Sequence, residues 1–146
     1  MSIVTAQMVL HMGIPVNDLE RSVEFYTNVL GLTGFFNGSR PNAPVRLYAG
    51  DNPTPGQQVI LFKRPKPIQR DCTAEDGINH QAFVVSSEDY DKAVEKFKEM
   101  GILQSAGVHG FRDDEPNAPK DQQPHRTLEF LDPDGNRLQL SDCAED

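Results

Sequence analysis

The chain has 146 residues, 37% apolar and 25% charged, the composition of a soluble globular protein with room for one sound core. Its 22 acidic residues outnumber 14 basic ones, a net charge of −8 that argues against a nucleic-acid partner and is compatible with a cationic small ligand. No apolar run approaches the roughly 18 residues of a membrane span, and the first residues lack the basic-then-apolar pattern of a signal peptide. Cys72 and Cys143 have no CxxC spacing, so a cytoplasmic protein with two free thiols is expected.

Taken in order, Met8 to Val16 is rich in apolar and β-branched residues and is predicted as a strand with His11 in its middle. Asn17 or Asp18 then offers a helix N-cap, with Asp18 and Glu20 suited to the positive end of the helix dipole. Leu19, Val23, Tyr26, Val29 and Leu30 recur at helical spacing, and Gly31 stops the helix. Three short segments bounded by turn formers follow, near 32–37, 45–50 and 58–63, completing a β-α-β-β-β unit.

The pattern then repeats. Residues 78–85 form a second strand with His80 placed as His11 is. Ser86 or Ser87 caps a second helix with Tyr90, Val94, Phe97 and Met100 as its stripe and Gly101 as its stop. The offsets are 69 for His11 to His80, 69 for Val16 to Val85, 71 for Val23 to Val94 and 70 for Gly31 to Gly101, which reads as an internal duplication. Strands are expected near 102–108, 126–131 and 137–141. The polar, proline-rich stretch 112–124 between the first two is long enough to be a functional loop. The last two strands flank Asp132-Pro133-Asp134-Gly135-Asn136, a cluster of turn formers that predicts an antiparallel hairpin. Symmetric closure sets Leu131 opposite Arg137 and Glu129 opposite Gln139, so a carboxylate and an amide share one face.

The stretches "HMGIPVNDLERSVEFYTNVLGL", "NHQAFVVSSEDYDKAVEKFKEMGI" and "LEFLDPDGNRLQL" resemble the vicinal oxygen chelate superfamily, over about residues 7–142. That superfamily includes glyoxalase I, extradiol dioxygenases, and fosfomycin and bleomycin resistance proteins. The resemblance implies an α+β fold of two tandem βαβββ modules forming a cup-shaped open mixed sheet. Residues 1–146 are then one domain, with module one at about 7–65 and module two at about 76–142. It also implies a homodimer, a small-molecule substrate or ligand, and metal ligands drawn from the first and last strand of each module.

Carried over by position, His11 and His80 match the histidine ligands of the two modules. The matching position at the end of module one is Ile60 or Leu61, which cannot ligate. The last ligand is normally a Glu, and Gln139 stands in its place, as a weak ligand or a bystander. Two neutral imidazoles and a neutral amide leave a doubly charged ion uncompensated, whereas two histidines at open iron sites are usually joined by a carboxylate. Glu129 is the candidate to supply that charge, as substitute ligand or as general base; otherwise it is a strand residue paired with Arg137 or Arg126. His109 and His125 flank the long loop and read as surface residues. Asp113, Asp114 and Glu115 read as a solvated loop, and Phe35, Phe36, Tyr48 and Phe62 as core or pocket wall.

Two functional readings result. In the first, a metal-dependent enzyme of dioxygenase, lyase or isomerase type holds Fe(II), Mn(II), Ni(II) or Zn(II) on His11, His80 and Gln139, with Glu129 beside it as the catalytic residue. In the second, a metal-free protein of the bleomycin-resistance type sequesters a cationic molecule. The duplicated histidines favour the enzyme, because a sequestering cleft has no use for them.

Overall fold

The alternation and turn signals of the sequence become two units, Met1–Gln69 and Arg70–Asp146. The structure, a computed structural model, describes residues 2–37, 41–51, 54, 56–69, 80–109, 117–119 and 122–143; the side chains of residues 35–37 and 109 are outside that description. The predicted long loop 112–124 therefore falls partly outside the described residues, at 112–116 and 120–121, and Cys72 falls outside them too. Among the described residues no helix is long and apolar enough to cross a membrane.

The first unit runs β1 (His11–Val16), α1 (Leu19–Asn28), β2 (Thr33–Asn37), β3 (Val45–Tyr48) and β4 (Gln58–Lys63). Of the two candidate caps, Asp18 is the one used: its carboxylate accepts from the Arg21 backbone N–H at 3.0 Å. Gly31 adopts φ +67°, a conformation that strains any L side chain, and the Leu32 N–H turns back to the Tyr26 carbonyl at 3.1 Å. The sheet order is β1-β4-β3-β2, with β1 parallel to β4 and the other pairs antiparallel. Ile14, Val16, Leu47, Val59 and Leu61 are buried with Tyr26 and Ser22 of α1, which packs on β4. Leu19, Val23, Val29 and Leu30 are half-buried at the edges of that stripe. β1 begins at His11 rather than Met8, so His11 opens the strand instead of centring it.

The second unit repeats the plan with β5 (His80–Val84), α2 (Ser87–Glu99), β6 (Leu103–His109), β7 (His125–Leu131) and β8 (Arg137–Ser141), in sheet order β5-β8-β7-β6. Ser86 caps α2 by accepting from Asp89 N–H at 3.1 Å. At its other end the Ile102 N–H reaches the Phe97 carbonyl at 3.0 Å while Gly101 takes φ +72°. The buried stripe of α2 is Tyr90, Ala93 and Phe97; Met100, at the C-cap, is 46% exposed. Spacings of three and four keep Ala93 on the core face, whereas Met100 sits past the last full turn. Phe97 meets Phe130 with ring centroids 4.5 Å apart, and Leu128, Phe130, Leu138 and Leu140 form the sheet side of this core. Two tandem βαβββ modules, each a four-stranded mixed sheet with one helix, are therefore the fold.

A polar clamp closes the open end of the second module. Arg126 lies over the Tyr90 ring at 4.4 Å, reaches Asp142 Oδ2 through Nε at 2.7 Å and Asp91 through Nη1 at 2.6 Å. Burial pushes the Asp142 carboxyl up, but hydrogen bonds from the Arg126 side chain and backbone, its positive charge and the Ser87 hydroxyl together hold it below the ordinary 3.8. A carboxyl whose folded pKa lies below its unfolded one stabilises the fold above about pH 4 and loses that contribution as pH falls through the folded value. Urea midpoints measured between pH 6 and pH 3 are expected to fall less for Asp142→Asn than for the wild type. Parallel falls would show that the clamp does not contribute to acid stability.

Candidate metal and substrate face

Alternation along β7 and β8 decides what the second sheet presents. Because Leu128, Phe130, Leu138 and Leu140 point into the α2 core, Thr127, Glu129, Leu131, Arg137 and Gln139 belong to the opposite face. The hairpin closes as its sequence predicts, with Leu131 opposite Arg137 and Glu129 opposite Gln139. Its turn is built around one buried carboxylate. Asp132 Oδ1 accepts from the Asp134 and Asn136 backbone N–H groups at 2.9 and 2.8 Å, and Oδ2 accepts from Asn136 Nδ2 at 2.8 Å. Gly135 supplies the positive φ, at +78°.

On the other side of β8, the parallel strand β5 sets His80 opposite Arg137 and Ala82 opposite Gln139. His80, Glu129, Gln139 and Arg137 therefore share one face of one sheet. His80 is exposed at the start of its strand. Gln139 Nε2 donates to Ser141 Oγ at 3.0 Å, which leaves the amide carbonyl as the oxygen suited to a cation. Glu129 forms an ion pair with Arg137, the two side chains only 20% and 28% exposed, and its Oε2 also accepts from Ser105 Oγ at 3.4 Å. Of the two arginines proposed for Glu129, the face decides: Arg126, an odd number of residues away, turns to Tyr90 and Asp142.

The first unit holds His11. Its register is the one found in the second: His11 opposes Gln58 as His80 opposes Arg137, and Gly13 opposes Ile60 as Ala82 opposes Gln139. Ile60 is thus the counterpart of Gln139, is 2% exposed, and offers no donor atom. Gln58 was not anticipated as a neighbour of His11. Gly13, two residues from His11, has a packing role: a Cβ there would lie 3.1 Å from Phe62 Cε2, so the ring of Phe62 leans over it from its own register position opposite Pro15. Phe62 is 42% exposed, on the same face of the sheet as His11.

Within neither unit do three described His, Cys, Asp or Glu side chains stand together as a metal-holding group. The donors that the second sheet does gather are an imidazole, an amide carbonyl and a carboxylate already held by a guanidinium. That set fits a divalent ion in type but is short of free negative charge. Of the other candidates, His125 donates from Nδ1 to the Gln123 carbonyl at 2.7 Å and is half-buried, while Cys143 is a free, half-buried thiol. Asp113, Asp114, Glu115 and the His109 side chain lie outside the described residues.

Duplicated βαβββ modules with paired strand histidines define a glyoxalase-like protein. The chain belongs to the glyoxalase/bleomycin resistance protein/dioxygenase superfamily, whose family model matches residues 8–140. It is 27% identical over 134 residues to the glutathione transferase FosA of Serratia marcescens, covering 92% of this chain and 79% of that one. It is 24% identical over 139 residues to the metallothiol transferase FosB of Lysinibacillus sphaericus, covering 93% and 82%. The crystal structure of the fosfomycin resistance protein FosX from Listeria monocytogenes superposes with a TM-score of 0.65 at 17% identity, over 94% of this chain and 92% of that one.

Proposed function

We propose that the protein is a metal-dependent enzyme acting on a small, oxygen-chelating substrate. One observation carries this reading: His80, Gln139 and Glu129 share a face of the second sheet, and His11 occupies the register-equivalent place in the first. His11, His80 and Gln139 are the residues to hold Fe(II), Mn(II), Ni(II) or Zn(II), and Glu129 is the substitute ligand or the base. When bound, such an ion supplies Lewis acidity that stabilises an enolate-like or oxyanionic state. Gln139 then presents its carbonyl oxygen, kept in that orientation by its hydrogen bond to Ser141. Glu129, set opposite Gln139 by the strand register, joins the ligands or takes a proton from the substrate.

Ring cleavage, lyase and isomerase chemistry suit these roles. The names of the FosA and FosB relatives, a glutathione transferase and a metallothiol transferase, add thiol transfer as a further type. A single domain that pairs as a homodimer in the cytoplasm, binding neither nucleic acid nor membrane, completes the reading. The competing reading, a metal-free protein that binds a cationic molecule, draws on the amide at 139 and on the commitment of Glu129 to Arg137.

Cobalt(II) absorption separates the two. Protein loaded with Co(II) is expected to show a ligand-field spectrum distinct from the aqueous ion and to change it on addition of acetohydroxamate, a vicinal-oxygen chelator. A spectrum equal to that of aqueous Co(II), with or without protein, would overturn the enzyme reading.

A further inference from the structure

The pairing of Glu129 has a consequence for how the site is loaded. A divalent ion beside the neutral imidazole of His80 and the Gln139 amide needs the Glu129 carboxylate, the acidic side chain that β7 presents on this face. That carboxylate is already engaged by Arg137, which stands directly across from His80 on β5. Both side chains are largely withdrawn from solvent, so neither water nor salt screens their attraction as it would at an open surface. A bidentate-capable guanidinium also binds a carboxylate more strongly than an ammonium does.

Resting on the metal-site reading above, we infer that Arg137 is a positioning residue that competes with the metal for Glu129. The ion-free face is self-neutralised by the Glu129–Arg137 pair. Metal uptake draws Glu129 away from Arg137 towards His80 and Gln139, and Arg137 sets the threshold at which this happens. Arg137 thereby tunes metal affinity downward without touching the ion.

A double-mutant cycle on Co(II) affinity tests this, with affinities read by competition against a colorimetric chelator. Arg137→Met keeps the aliphatic stem and removes the guanidinium; it is expected to tighten Co(II) binding about tenfold. In a Glu129→Gln background the same substitution is expected to change affinity by less than about twofold. Arg137→Lys, whose ammonium binds a carboxylate less strongly, is expected to tighten Co(II) binding about twofold to threefold and gives the same test if Arg137→Met folds poorly. Simple charge repulsion by Arg137 predicts the contrary pattern, since removing an unneutralised arginine helps a cation as much or more when Glu129 is gone; that result overturns the proposal. So does unchanged or weaker binding in Arg137→Met, the sign of a bridging carboxylate that Arg137 holds in place for the ion. Failure of the metal-site reading itself looks different: wild type and every variant then leave Co(II) with the chelator.

Discussion

Asp132→Ala is expected to destabilise the protein by about 3–4 kcal/mol, the largest loss from any single polar substitution proposed for this chain. Its carboxylate accepts three hydrogen bonds inside the turn, and Asp132, Asp134 and Asn136 are 5%, 0% and 2% exposed. Water cannot replace those bonds, and a buried donor left without its charged acceptor costs about 1–3 kcal/mol. The effect reaches the site, because this turn sets the register that places Glu129 opposite Gln139. Asp132→Asn keeps an acceptor and is expected to lose less. Urea unfolding monitored by circular dichroism gives both values, and a loss below about 1 kcal/mol for Asp132→Ala would show that the turn holds its shape by backbone bonds alone.

For metal binding the largest effect is expected from His80→Ala. The His80 side chain is exposed at the first position of β5, so its removal opens no cavity, and stability should stay within about 0.5 kcal/mol of the wild type. Ion affinity should nevertheless fall by more than about 100-fold, since even residues that only support a metal ligand are worth 10–100-fold. Equilibrium dialysis against Co(II) measures the change. Full retention of the ion in a folded His80→Ala protein would put the site elsewhere.

Much of this architecture is legible in the chain itself, and the reasons are physical. The duplication is visible because helix caps, stripes and stop glycines are local features that recur together. The β7–β8 register is visible because one face of that hairpin is apolar and the other polar. The run Val59-Ile60-Leu61-Phe62 resists the same treatment: Val59, Ile60 and Leu61 are all buried, so the alternation that marks a face disappears. Only its pairing with β1 shows that Ile60, rather than Leu61, is the counterpart of Gln139. The same pairing brings Gln58 opposite His11, which no motif announces.

The partner of Glu129 was half visible. Residues 126 and 129 differ by an odd number, so strand alternation already separates their faces, and Arg137 follows from the hairpin register. The anchoring of Arg126 on Tyr90, Asp91 and Asp142 needs the packing of α2 on the sheet, which sequence spacing does not contain. Likewise Met100 fits the helical stripe by hydrophobicity, yet the helix ends before it is covered, and the smaller Ala93 takes the buried place.

The central claim is that the strand histidines His11 and His80 each serve to hold a metal ion. Its most direct test is elemental analysis of tag-free protein produced in metal-supplemented medium, beside His11→Ala and Glu129→Ala. About one transition ion per chain is predicted for the wild type, lost with His11 and weakened with Glu129. Protein that carries no ion under any loading condition, or that keeps it when His11 is removed, would contradict the account.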